Sequence, residues 1–306
     1  MRNDKFKNLE VDKKNDAVSY NDEEHVYWTT DGLMQCISAT TLIGLFDTFD
    51  KEFWSKYKAL EAALGVEAFK EVKPLLLETK KFDPKILDDL GLSKEVFDVA
   101  LEGILAEWDE KNKVACTRGT EIHLKYELKT LEQDYAPLKK FGFKGFDGYT
   151  IDTSNVIKEG YYVIPEMLIS RISKDGKLRV AGQADLVIVE GNEFSILDYK
   201  TNKEIKTKSF YDRNKRSSTR MKYPLNNLDD VNFWHYTLQL SLYAWMIMKN
   251  NPHMKLKGLY LLHHDHDDKK EVYECDYLEK EVQRMLVFYK RQNEYKKHKE
   301  KNKKWD

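Results

Sequence analysis

An α/β fold is predicted by three features of this chain. One is a strand–turn–strand stretch that is apolar on both faces, another a later helix apolar nearly all round, and the third a helical run that precedes both. The strand pair spans residues 179–201. Arg179–Val189 is rich in β-branched residues, and Phe194–Lys200 follows it. Gly191 and Asn192 between them tolerate positive φ and make a two-residue turn. That turn sets Leu186 against Leu197, Val187 against Ile196 and Val189 against Phe194, so these strands belong inside a sheet covered on both faces. The same register sets Asp185 against Asp198, with Lys200 one pleat further along that face. Facing carboxylates repel unless a cation lies between them. The pair is therefore a candidate divalent-metal site, and two solvated acids at a hairpin end are the plainer alternative.

Composition narrows the function classes. In 306 residues, 41% hydrophobic and 12% aromatic content supply a core, and the length suits one or two domains. With 34% charged residues but a net charge of −1, any nucleic-acid contact must come from local patches. Cys36, Cys116 and Cys275 are far apart and form no CxxC pair. That spacing argues against a disulfide framework, a structural zinc site or a four-thiolate iron–sulfur cluster. No apolar run approaches the roughly 18 residues of a membrane span, and the polar N-terminus lacks a signal-peptide core. The expectation is a soluble, cytoplasmic protein.

The elements follow in order. Residues 1–24 read as a charged arm. Residues 25–115 read as a hairpin and helical lobe. The hairpin, 25–37, turns at Asp31–Gly32, and Ser38 caps the first helix. Residues 51–64 carry helical spacing in Phe53, Trp54, Tyr57, Leu60 and Leu64 up to Gly65, and Pro74, Pro84 and Gly91 punctuate the pieces beyond. Residues 116–295 read as the core domain. Thr117 is a plausible cap for a helix through Leu131, with His123 and Glu127 on one face; a surface pair or a packed histidine is the commoner meaning of such a pair. An irregular connection covers 133–160. Tyr161–Ile172 is a strand in which Pro165 marks an edge or bulge, and Glu166 in that apolar run needs a partner or a cation. Residues 203–222 bring Lys203, Lys206, Lys208, Arg213, Lys215, Arg216, Arg220 and Lys222 together with Phe210 and Tyr211. Basic residues with interleaved aromatics suit a single nucleic-acid strand; a solvated loop is the plain alternative. Asp229 or Asp230 can cap the apolar helix 231–248, in which Gln239 and Tyr243 share a face with His235. Strands at 256–263 and 271–275 flank the His263–Asp268 cluster, which reads as a polar turn sooner than a metal site. A helix over 277–295 and a basic tail, 296–306, close the chain.

Taken together, these motifs resemble the PD-(D/E)XK nuclease superfamily, and most closely its RecB-type branch of phage, mitochondrial and CRISPR-adaptation nucleases. RGTEIH ending in His123, Glu166 in VIPEMLI, GQADLV with Asp185, ILDYKT with Asp198 and Lys200, and Gln239 with Tyr243 in QLSLY follow that family's order across about residues 25–263. Ala184 stands where the family's nominal proline would be. The resemblance implies a restriction-endonuclease-like mixed sheet flanked by helices. It also implies a Mg²⁺ or Mn²⁺ ion held by His123, Asp185, Asp198 and the Tyr199 carbonyl. Lys200 would orient or deprotonate the attacking water, and Glu166 would hold a second ion or a bound water. Gln239, Tyr243, Arg118 and the basic segment would bind substrate. The implied activity is exonuclease action on single-stranded DNA or DNA ends in replication, recombination or repair. Alternatives are a structure- or sequence-selective endonuclease and a catalytically silent DNA-binding protein. No helicase motif is present, so unwinding would need a helicase or recombination partner. A phage-encoded protein would act in the host cytoplasm.

Overall fold

The computed structural model describes residues 17–21, 26–132, 155–212 and 217–302. In chain order its elements are β1 (Val18–Asn21), β2 (Val26–Thr29), β3 (Gln35–Ser38), α1 (Ala39–Gly44), α2 (Lys51–Leu64), α3 (Val66–Thr79), α4 (Lys85–Asp89) and α5 (Lys94–Leu131). There follow β4 (Gly160–Ile172), β5 (Arg179–Gly191), β6 (Glu193–Lys200), β7 (Tyr211–Asp212), β8 (Ser217–Ser218), α6 (Asn232–Asn250), β9 (Lys255–His264), β10 (Lys270–Cys275) and α7 (Glu279–Asn302). Two compact units result, one of Met1–Thr48 with Glu121–Asp306 and one of Phe49–Thr120.

The smaller unit is helical because its apolar residues repeat at helical spacing between good stops. Asp50 caps α2 by accepting the Phe53 N–H at 3.0 Å, and Gly65 ends it at a φ of +76°. Phe53, Tyr57, Leu60, Phe69 and Phe97 form its core.

The larger unit is a mixed sheet in the order β1-β2-β3-β5-β6-β9-β10, with β4 on the remaining edge of β5. The β5–β6 register is the expected one, Leu186 on Leu197 through Glu190 on Glu193, and Gly191 turns at a φ of +64°. β5 is the hub. Antiparallel β4 follows one edge from Gly191 back to Arg179. The other edge is shared: parallel β3 takes Val180 and Ala181, and antiparallel β6 takes Leu186 to Glu190. Residues 182–185 stand between them, at a fork in the sheet. β6 then pairs in parallel with β9, which α6 connects to it, as a crossover requires. α6 covers one face with Leu238, Leu242, Tyr243 and Met246, and Ile122 and Tyr126 at the end of α5 pack on the other.

Several expectations are corrected. The arm at 1–24 is not wholly unstructured, since Val18–Asn21 pairs with β2. The 25–37 hairpin belongs to the sheet unit through β3, so the division at 25–115 and 116–295 gives way to one at Thr48 and Thr120. Thr117 is not a cap: α5 runs unbroken through it, and its hydroxyl donates to the Lys113 carbonyl at 3.0 Å, a bond available inside a helix. Neither Asp229 nor Asp230 caps α6, whose cap position is Val231. The last helix reaches Asn302, well into the expected tail. The connection at 133–154 lies outside the described residues.

Candidate active site

Glu166, Asp185 and Asp198 hold corresponding positions on three adjacent strands. Pro165–Leu186 and Met167–Ala184 flank the first pair, and Leu186–Leu197 precedes the second. Regular pairing fails at this row in both ladders. Glu166 is left-handed, with a φ of +49°, a conformation that costs a non-glycine residue about 1–3 kcal/mol. The two-residue alternation slips here too. Ala184, Val187 and Val189 all pack in the α6-side core, while Leu186 and Ile188 pack toward α5. In β4, Ile164 and Met167 likewise share the α6 side.

The slip decides which groups meet. Buried Asp185 accepts the Tyr199 N–H at 2.7 Å, and its Oδ1 lies 3.5 Å from His123 Nδ1. His123 Nε2 is 3.2 Å from the Tyr199 carbonyl oxygen, and the ring stands edge-on to the Tyr199 ring. Glu166 accepts a 2.6 Å hydrogen bond from the Gln183 amide. One ligand atom each from His123, Glu166 and Asp185 falls within a 4.8 Å group. Asp198 is outside that group: it follows Ile196 on the α6 side and forms an ion pair with Lys200. Of the expected ligands, His123 and Asp185 lie in that group together with Glu166, while Asp198 is paired with Lys200 and close enough to Asp185 to act on its charge. The Lys200 ammonium also lies 4.6 Å from the Tyr236 ring centre, and the Tyr236 hydroxyl donates to Asn202 at 2.6 Å.

Burial, then the nearby Asp198 charge, raises the Asp185 pKa to about 6, outweighing His123, Lys200 and the Tyr199 N–H. A carboxylate in that state gains from a cation beside it. Two carboxylates and one imidazole are donors that suit Mg²⁺ or Mn²⁺, so the three residues fit a divalent ion. Burial works against the charge on Lys200, but Asp198 and Asp185 prevail and its pKa is raised. Lys200 is therefore an ammonium group, which favours charge stabilisation over the expected alternative of deprotonating water.

The other expected residues separate. Gln239 donates to the Tyr243 hydroxyl at 3.0 Å, and both are buried. The Tyr243 ring covers Gly182, where a Cβ would run into it, so the pair braces the fork from the α6 side. Lys203, Lys206 and Lys208 are exposed on a segment laced to the start of α6: Asn232 accepts the Lys206 N–H at 2.8 Å and donates to the Glu204 carbonyl at 2.9 Å. Arg220 holds Asp229 at 2.9 Å and the Asn227 carbonyl at 3.1 Å, so it braces that segment. Arg213, Lys215 and Arg216 lie outside the described residues. Arg118 belongs to the helical unit. His263 meets the Asn202 carbonyl at 2.6 Å, and His264 meets Tyr126 and Asp268, so those two histidines are packed partners. Gln183 and Tyr236 are absent from the sequence-based site. Gln183 shares a strand face with Asp185 at a spacing of two, which is the one signal that points to it.

Fold and site together define a carboxylate–lysine centre at the fork of a mixed sheet. The model of the PD-(D/E)XK nuclease superfamily matches residues 67–303, and the chain belongs to that superfamily. Comparison with curated proteins gives no match. Among solved structures, the crystal structure of SSO0001 is 17% identical over 62% of each chain, with a TM-score of 0.30. A "Putative exonuclease" from Eubacterium rectale is 15% identical over 85% of this chain and 66% of its own, with a TM-score of 0.28. This chain spans less than two thirds of the length of either, and likenesses this loose carry no argument about function. Among the described residues, no helix is long and apolar enough to cross a membrane.

Proposed function

We propose that the protein is a divalent-metal-dependent DNA exonuclease of the RecB-type branch, acting on single strands or ends. The observation that carries the reading is the meeting of His123, Glu166 and Asp185 beside the Asp198–Lys200 ion pair. These three residues would hold Mg²⁺ or Mn²⁺, with the Tyr199 carbonyl next to His123. When bound, such an ion polarises the scissile phosphate and lowers the pKa of a bound water. Lys200, fixed by Asp198 and the Tyr236 ring, offsets the charge that develops on the phosphoryl oxygens. Asp198 keeps that ammonium group aimed. Gln239 and Tyr243 hold the strand that carries Asp185 rather than touching substrate themselves.

A single-strand preference is supported by the segment that begins three residues after Lys200. Its exposed lysines precede Phe210, which is 81% exposed and free to stack on a base. Arg213, Lys215 and Arg216 continue the basic run, and Arg118 is a further phosphate contact in this reading. In this reading the protein acts in replication, recombination or repair, with a helicase or recombination partner, in the cytoplasm.

The test is an end-labelled assay on linear single-stranded, linear duplex and circular single-stranded DNA, with Mg²⁺, Mn²⁺ or EDTA. The reading expects metal-dependent release of short products from linear strands and none from circles. Circles cut as fast as linear strands would refute the exonuclease assignment and support an endonuclease on the same site. No cleavage under any metal would refute the enzyme.

A further inference from the structure

We infer that Gln183 is a positioning residue that fixes the Glu166 carboxylate for the metal and so sets which divalent ion the site prefers; this rests on the metal-site reading above. Glu166 needs such a constraint more than its neighbours do. Asp185 is short, buried and tied to a backbone N–H. Glu166 has one more rotatable bond, is only half-buried, and springs from a backbone in the left-handed region outside the β4–β5 ladder. Nothing in regular strand pairing orients it.

Gln183 does. It lies two residues before Asp185 on β5, two ladder rows from Glu166, where Leu168 is its strand partner. Its amide must be the donor in the 2.6 Å bond, because an ionised carboxylate only accepts. That donor competes with a cation for Oε2, which makes coordination through both oxygens less favourable than coordination through one. Mg²⁺ and Mn²⁺ sites are served by carboxylates that give one oxygen, whereas Ca²⁺ gains from carboxylates that give two. The hydrogen bond therefore orients the ligand and weighs against the larger ion. Partners of this kind commonly change metal affinity by about 10–100-fold.

The experiment measures Mn²⁺ and Ca²⁺ binding by calorimetry to the full chain as wild type, Gln183→Met, Glu166→Ala and the double variant, with thermal melts in EDTA as a folding control. Gln183→Met keeps the length and removes the donor. It is expected to weaken Mn²⁺ binding about tenfold and to weaken Ca²⁺ binding less, so the Mn²⁺-over-Ca²⁺ ratio falls. The double variant should bind Mn²⁺ no more weakly than Glu166→Ala alone, because Gln183 acts through Glu166. A merely structural role would shift the melts and leave the ion ratio unchanged. Wild-type affinity and ion ratio in Gln183→Met, or additive losses in the double variant, would overturn the inference. Absence of Mn²⁺ binding by the wild type, or an unaltered affinity in Glu166→Ala, would overturn the metal-site reading itself. Should Gln183→Met melt early, Gln183→Leu takes its place under the same criteria.

Discussion

At the scale of single residues, the site is governed by where charge is buried. Asp185 has a folded-state pKa of about 6 against an ordinary 3.8, because burial and Asp198 disfavour its ionised form. Between about pH 4 and 6 the native metal-free protein therefore holds a proton that the unfolded chain has released. Its stability falls as pH rises through that window and levels off above it. A divalent ion competes with that proton. Melts in EDTA and in Mn²⁺ should show a stabilisation by Mn²⁺ that is larger at pH 7.5 than at pH 5; an equal shift at both would show that Asp185 is not a ligand. Lys200 is a separate case. Held as a cation by Asp198, it is proposed to serve charge development rather than metal binding. Lys200→Ala should lower the cleavage rate by about 10²–10³-fold with Mn²⁺ affinity kept. Loss of metal binding in that variant, measured by calorimetry, would place the lysine in a structural role instead.

At the scale of elements, the fork in the sheet does the positioning. β5 changes neighbours between Ala181 and Leu186, and α6 seals that stretch with Tyr243 over Gly182. Gly182→Ala should destabilise the protein by about 1–3 kcal/mol, read from a denaturant midpoint, because the new methyl group meets an aromatic ring in a packed core. Tyr243→Phe removes only the bond from Gln239 and should cost about 1 kcal/mol. The β5–β6 register is legible in the sequence, since a two-residue Gly191–Asn192 turn leaves no other pairing. The slip at Asp185 is not legible. Ala184–Asp185–Leu186 fits either phase of the alternation, and the slip lies opposite the left-handed Glu166 on another strand. For that reason the row of acids can be read from the sequence, but not that Glu166 groups with His123 and Asp185 while Asp198 pairs with Lys200. The continuity of α5 is hidden similarly: Thr117 and Gly119 look like a helix start, yet a threonine hydroxyl can satisfy itself on the preceding turn.

At the scale of the molecule, a chain of net charge −1 must attract an anionic polymer through a local patch. Lys203, Lys206 and Lys208 sit on the segment that leaves Lys200 and is stitched to α6. The triple alanine variant should weaken DNA binding across sequences alike and flatten its salt dependence by about two units of log–log slope. An unchanged slope in a fluorescence titration would move the DNA path elsewhere. The central claim remains the proposed cation site, formed by two strands and one helix. The most direct measurement is an anomalous difference map from a crystal soaked in Mn²⁺. The account predicts one peak about 2.1 Å from a nitrogen of His123 and from single oxygens of Glu166 and Asp185. A fully soaked crystal with no peak among those residues, or a peak liganded by Asp198 without them, would contradict it.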